Sequence, residues 1–502
     1  MLTNPSGGRT ARRAALLLTV AAGVTLAGAS PAAADSLDAA GNGVLGDTVP
    51  INTLWVIISS CLVLLMLVGL LCLEAGMSRM KNVGTLVPKA LVSMAVAGLA
   101  YYACGFAFAF GNGDIIGSPG FFLRAYGDPQ EAFGIMGLSD ALIESKWLFQ
   151  FAFCAVTLAI AWGSTLERIK FKAHIIFGLV FAGFIYPLVS HWVFGGGWLQ
   201  ANVGMQDFAG STAVHLVGAT AALAALLVLG PRKGKYAPTG EPRPIPGHSM
   251  FIVGLGMFIL LFGWFGFNAG STLGVTDGRF AEVSMVTALG ACGGILGAYA
   301  MTSMLQRTVD IGMVCNGLIA GLVAITAPSG YVENWAAPII GLVGGLIVVP
   351  AILAIDKKLD DPVGVLSAHG IAGIWGTLAC GIFTSPRFAQ YAAIGDPDGG
   401  LVYSLSFEQL GHQALGIVVA FGTVLVLSYI VFKAIDMAIG LRVSEEAELA
   451  GLDISEHGMY GYPEHFIPDA EMPVILPNGK TITVGGTSAP MPVGGTVPAK
   501  SG

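Results

Sequence analysis

The chain has 502 residues, of which 54% are hydrophobic and 11% charged, with 71 glycines. That balance excludes an ordinary soluble domain and marks a polytopic membrane protein, in which glycine permits close helix approach within lipid. The formal net charge of -7 identifies no partner, so the placement of the charges carries the information.

Residues 1–34 read as a secretory signal peptide. Arg9, Arg12 and Arg13 precede the apolar run from Ala14 to Ala27, and Ala32-Ala33-Ala34 offers a cleavage site before Asp35. An uncleaved first helix is the alternative. Cleavage leaves a short extracytoplasmic N-terminus over 35–50, a membrane domain over 51–440 and a cytoplasmic tail over 441–502.

A spanning helix needs roughly 20 mostly apolar residues. Eleven such runs follow in order: 52–75, 85–110, 146–165, 173–194, 207–229, 249–272, 280–305, 310–327, 336–356, 363–384 and 409–436. Alternate loops hold Arg79 and Lys81, then Arg168, Lys170 and Lys172, then Arg232, Lys233, Lys235 and Arg243, then Arg307, Lys357 and Lys358. The remaining loops hold Arg124, Arg279, Arg387 and Lys146. Lysine and arginine concentrate on cytoplasmic loops, so this predicts an N-terminus outside a bacterial cytoplasmic membrane and a C-terminus within.

The longest outer loop, 111–145, carries Asp114, Asp128, Glu131 and Glu144. The seven cysteines lie in apolar runs without metal-site spacing and read as small hydrophobes, with no disulfide expected. Beyond Leu441 the chain turns acidic and polar, then Pro/Gly/Thr-rich, and is expected to be flexible from about residue 470.

Two segments share a register. Asp207-Phe-Ala-Gly210-Ser-Thr-Ala-Val-His215 and Asp361-Pro-Val-Gly364-Val-Leu-Ser-Ala-His369 place Asp, Gly and His at the same offsets. A repeat of five spans must insert with opposite topology, so spans 1–5 and 6–10 form two inverted halves, with span 11 extra. Glu74-Ala75-Gly76 and Asn268-Ala269-Gly270 give a second, shorter correspondence. At about 1.5 Å per residue each histidine lies roughly 12 Å from its aspartate, near the middle of a core about 30 Å thick.

An ionisable group at that depth is costly and marks a solute or proton path. Two neutral imidazoles in contact share one proton and offer a donor and an acceptor to a small polar solute. Two independent core histidines bonded to backbone carbonyls are the bland alternative. Nearer the outer end fall Phe149, Phe153, Tyr186, Phe194, Phe208, Trp264, Phe267 and Ser271. Aromatic faces attract cations, and a hydroxyl adds a directed acceptor. An interfacial aromatic belt explains any one of these rings. It does not explain the dense mixture of bulk, glycine and polar groups in Trp264-Phe-Gly-Phe267-Asn-Ala-Gly-Ser271. Asp207 opens its span and reads equally as a helix cap or a proton-handling group.

At these residues the chain resembles the ammonium transporter (Amt/Rh) family, of bacterial Amt type, over about residues 50–463. The resemblance rests on the two Asp-to-His segments and on Gly263-Trp-Phe-Gly-Phe-Asn-Ala-Gly-Ser271. Leu166-Glu-Arg-Ile169 and Gly440-Leu-Arg-Val with Glu445-Glu446 and Gly451-Leu-Asp add to it. It implies eleven spans, a homotrimer with one pore per subunit, and ammonium or ammonia as the solute. It further implies that His215 and His369 are twin pore histidines, that Phe153 and Phe267 gate the pore, and that Ser271, Phe149, Phe194 and Trp264 form the outer binding site. Asp207 takes the place associated with recognition and deprotonation. A PII-type signal protein becomes a candidate cytoplasmic partner.

One departure stands out: Phe194 precedes Gly195-Gly-Gly197 where the family usually has tryptophan, which weakens the cation–π partner and removes an indole donor. The extension beyond Pro463 is a second departure. No cofactor is expected. A sensor is a competing class, but the tail shows no apolar periodicity for a signalling domain. A metalloenzyme is another, but two histidines on separate helices lack a third ligand.

Overall fold

In a computed structural model, residues 48–124, 132–466, 473–475 and 481–483 are described. The signal peptide expected over 1–34 lies outside the described residues, as do Asp128 and Glu131 of the long outer loop.

The membrane part is all α. Its helices are α1 (Val49–Met77), α2 (Met80–Phe110), α3 (Ile143–Gly163), α4 (Phe171–Ala201), α5 (Ser211–Leu229) and α6 (Met250–Ala269). Then follow α7 (Arg279–Gln306), α8 (Ile311–Thr326), α9 (Ala336–Asp356), α10 (Leu366–Phe383) and α11 (Glu408–Ile439). Ten of these are long and apolar enough to cross a membrane. The eighth has 16 residues and is continued by a 3₁₀ turn over Pro328–Gly330. Eleven helices therefore form two five-helix halves and one extra helix. The sequence boundaries shift where capping intervenes: span 5 starts at Ser211 rather than at Asp207, because Asp207 lies before the helix and caps it. In the tail, Pro473–Ile475 and Thr481–Thr483 pair as a short antiparallel ribbon.

Polarity sorts the helices laterally. Phe251, Leu255, Phe258 and Phe262 line an exposed stripe on α6, while Val253, Gly256, Met257 and Leu260 face the core. Cys61 and Cys292 also lie on exposed helix faces, so not every cysteine is a buried hydrophobe. Bilayer hydrocarbon permits such apolar exposure, which water does not. Helices α7 and α9 approach so closely that the Gly290 carbonyl occupies the space a Cβ on Gly341 would need.

The loops rich in lysine and arginine gather on one face, here the basic face, and are tied together there. Glu167 has a left-handed backbone, with φ 68°. It is held by Arg79, whose backbone N–H and Nε donate at 2.6 and 2.7 Å, and by Arg232 at 3.6 Å. Arg232 grips Asp360 through a bidentate pair at 2.9 Å, and its own N–H adds a third bond at 2.8 Å. Arg168, fully buried, donates to the carbonyls of Leu166, Gly230 and Asp360.

Burial opposes every charge in this cluster, and the pairing reverses that opposition for the acids. Burial raises Asp360, yet the hydrogen bonds from Arg232 and the charges of Arg168 and Arg232 hold it at about 2. Burial likewise raises Glu167, but the Arg79 hydrogen bond and the Arg232 charge leave it below its ordinary value. Arg168 is brought down to about 10, chiefly by desolvation, and remains a cation at neutral pH.

The tail leaves α11 and docks on this network. Lys170 N–H donates to the Leu441 carbonyl and Val443 N–H to that of Arg168, both at 3.0 Å. Two short helices follow, α12 (Glu445–Ala450), capped by Ser444, and α13 (Leu452–His457). Buried Glu448 accepts from Arg442 at 2.7 Å and from the Lys233 N–H at 2.7 Å. Asp453, fully buried, accepts from the amides of Gly84, Thr85 and Gly461 at 2.9, 2.8 and 3.0 Å. The tail is thus bolted to the opening turns of α2 of its own chain, unlike a solvated post-helix segment.

Candidate functional site

The two Asp-to-His segments fold alike. Gly210 and Gly364 adopt left-handed backbones, φ 119° and 79°, which explains why glycine stands at the same offset in both. The turn curls the following amides toward the aspartate. Asp207 Oδ1 accepts from Gly210 and Ser211 at 2.7 and 3.0 Å, and Oδ2 from Thr212 and Ala213 at 2.9 Å each. Asp361 accepts from the Leu366 amide at 2.8 Å and from Ser164 Oγ at 2.9 Å. Both helices then open with a wide π-helical turn, Ser211–Leu216 and Leu366–Ile371, and each turn carries the histidine. Such turns concentrate at functional sites because they re-aim side chains.

The result is a pair. His215 Nδ1 and His369 Nδ1 stand 3.2 Å apart, with the residues 0% and 4% exposed. Only one Nδ1 can carry the shared proton. The other ring must then bear its proton on Nε2, so one Nε2 is a donor and the other an acceptor. His215 Nε2 has no hydrogen-bond partner among the described residues. The ring is clamped instead by stacking, with Trp264 and Phe267 centroids at 5.2 and 5.4 Å.

Toward the face opposite the basic one, Phe267 stacks on Phe153 with centroids 4.0 Å apart and planes 10° from parallel, and Phe149 follows at 4.6 Å. These rings close the floor of a cavity of about 340 Å³ lined by Phe149, Phe153, Phe194, Asp207 and Ser271. Ser271 Oγ donates to the Phe267 carbonyl at 2.8 Å, which leaves its lone pairs free as acceptors.

Eight of the nine residues to which the resemblance gives roles therefore lie along one line: cavity, phenylalanine pair, histidine pair. Trp264 is the correction. It does not line the outer cavity with Ser271 but packs beside His215, its Nε1 donating to Thr326 Oγ1 at 2.8 Å. The reason is helical rise, since Ser271, just past the end of α6, follows Trp264 by seven residues, or roughly 10 Å of depth. Sequence reading missed Phe110, Gln150 and Tyr331, which also line the cavity. They come from segments with no shared register to flag them. It also missed Asp360, although the Asp360-Asp361 doublet was visible beside the second motif.

A file of rings and two buried imidazoles, reached from a cavity on one face of an eleven-helix membrane protein, defines a pore-type membrane transport protein. The chain belongs to the ammonium transporter family, whose sequence model, the Ammonium Transporter Family, matches residues 54–462. It is 38% identical to the ammonium transporter Amt2 of Archaeoglobus fulgidus over 91% of this chain and 96% of that one. It is also 38% identical to Amt1 of Haloferax mediterranei, over 82% and 80%. Among solved structures it resembles a "Sensor Amt Protein", with TM-score 0.74 and 33% identity over 82% of this chain and 99% of that one. It also resembles Candida albicans Mep2, with TM-score 0.74 and 27% identity over 85% and 93%.

Proposed function

We propose that this protein takes up ammonium across a bacterial cytoplasmic membrane, with the basic face cytoplasmic and the cavity opening outside. The observation that carries the reading is the continuous file from the cavity through Phe153 and Phe267 to His215 and His369. A bare cation in such an apolar file is strongly disfavoured, whereas ammonia is small, neutral and able both to donate and to accept. Ammonium is therefore recruited at Phe149, Phe194 and Ser271 and, at the ring gate, gives one proton to water of the outer cavity, an N–H bond breaking as an O–H bond of hydronium forms. Ammonia then passes the imidazoles, and the proton follows inward by its own route, so transport moves charge.

Asp207 serves recognition in this scheme. Its four amide bonds leave the carboxylate little capacity to act as a base, but its charge borders the cavity and favours a cation there. Trp264 is reassigned from the outer site to holding His215. Assembly as a homotrimer and a PII-type protein at the cytoplasmic face belong to the same proposal, as do cleavage of residues 1–34 and the division into membrane domain and tail.

The direct test is current across proteoliposomes given ammonium pulses, with sodium and potassium pulses as controls. Inward current on ammonium alone is expected, and equal responses to all three cations would end the reading. In the same assay Phe194→Trp should tighten apparent affinity by about 0.5–1 kcal/mol, the value of an exposed cation–π contact. An unchanged concentration dependence would mean that Phe194 does not touch the ion.

The docked tail gives a second expectation. Deleting 442–463 removes the acceptors of the Gly84 and Thr85 amides and the partner of Lys233, loosening the loops around the inner mouth. Transport should fall with oligomeric assembly intact on size-exclusion chromatography. A truncated protein that is equally abundant and equally active would show that the tail has no influence on the pore.

A further inference from the structure

Past His369, toward the basic face, the file meets a small void of about 10 Å³ lined by Glu74, Gly163, Asn316 and His369. That is about the space one water-sized molecule fills. Glu74 also borders a second void, of about 30 Å³, with Lys89, Ser93 and His174. All these polar side chains are buried, Glu74 at 9% exposure and Asn316 and Lys89 at 4% each.

Two further observations point to a solute. Asn316 Nδ2 donates to the Gly312 carbonyl at 3.0 Å, but Oδ1 has no partner among the described residues. Glu74 occupies the last turn of α1, where the helix dipole disfavours a negative charge, so helix stability does not explain it. A buried carboxylate needs a counter-charge, and Lys89, across the second void, acts on Glu74 through its charge without an ion pair among the described residues. The void on the other side offers room for a second one.

We propose that Glu74 and Asn316 form an inner ammonium station, where ammonia leaving His369 regains its proton and is held as a cation before release. The inference rests on the reading of the file as an ammonium path. A hydronium ion of the inner water, a pool that the inward-moving proton replenishes, supplies the proton. An N–H bond forms at the ammonia lone pair and an O–H bond of hydronium breaks to leave water. The Glu74 carboxylate is unchanged and faces the new cation, while Asn316 Oδ1 accepts one of its N–H groups.

Proteoliposome currents on ammonium pulses test this on the full chain. Glu74→Gln keeps the shape and removes the charge, and should slow the current at least ten-fold with the half-saturating concentration unchanged. Glu74→Asp should recover part of it. The double variant Glu74→Gln/Lys89→Gln separates the station from simple charge balance, because it leaves no unpaired lysine and yet should stay slow. Asn316→Leu fills the void and should also be slow. Wild-type current in Glu74→Gln overturns the proposal, and so does its restoration in the double variant. If Glu74→Gln does not assemble, wild-type current in the double variant or in Asn316→Leu overturns it equally. A wild-type protein that gives no ammonium current is a failure of the transport reading instead, since every variant is judged against that current.

Discussion

Replacing His369 with alanine is expected to cut ammonium current by about ten-fold or more, or else to admit sodium and potassium. The geometry gives the reason. With the Nδ1 atoms 3.2 Å apart, the pair presents one Nε2 donor and one Nε2 acceptor to the solute, and removing either ring leaves one contact of two. A hydrogen bond lost in a dry, apolar passage costs about 1.5 kcal/mol or more, which is roughly a factor of ten in rate. Water entering the vacated space would lower the barrier to hydrated cations, which is the alternative form of the defect. His369 is the cleaner site for the experiment. His215 is fully buried and packed against both Trp264 and Phe267, so its removal also opens a packing defect. Unchanged rate together with unchanged selectivity in both variants would remove the histidine pair from the mechanism.

What made the pair legible in sequence was chemistry that repeats. Asp, Gly and His at matching offsets each answer a physical demand: a carboxylate for free helix-end amides, a residue tolerant of positive φ, and a polar ring at mid-depth. Hydrophobic length and the distribution of lysine and arginine were enough to read eleven helices, and only α8 fell short of the usual spanning length.

The contacts that depend on distant segments were not legible. Trp264 was assigned to the outer site because its neighbours in sequence lie there, but helical rise carries it down beside His215. Glu74 stood out only as part of a short repeat, and nothing local links it to Lys89, Asn316 or His369. The basic loops carried only the membrane orientation in sequence. In the structure they close a buried network in which Arg168 and Arg232 are almost inaccessible. Composition locates such charges on a face; it does not reveal that Glu167 and Asp360, from two different loops, and Glu448 of the tail neutralise them.

The second large effect is expected from that network. Asp360→Ala should destabilise the protein by about 3–5 kcal/mol, because it leaves Arg232 and Arg168 buried without their shared counter-charge. Asp360→Asn should cost less, since an amide oxygen still accepts from Arg232. The wild type carries a matching pH signature. Asp360 sits at about 2 in the folded protein against an ordinary 3.8, so its pairing stabilises the fold fully above pH 4. As pH falls from about 4 through 2 the folded protein must take up a proton that the unfolded chain already holds. On the order of 2 kcal/mol is then lost. Melting curves of detergent-solubilised protein at pH 7 and across pH 5 to 2 check both statements. The wild type should lose stability across the acid window, and Asp360→Ala should begin lower and show a shallower loss, having no carboxylate to protonate there. Equal acid slopes in the two proteins would assign the acid sensitivity to other carboxylates. Because Asp360 adjoins the Asp361 cap of α10, the same variant should also reduce transport before it unfolds. Loosening Arg232 from the α9–α10 loop frees the turn that sets the depth of His369.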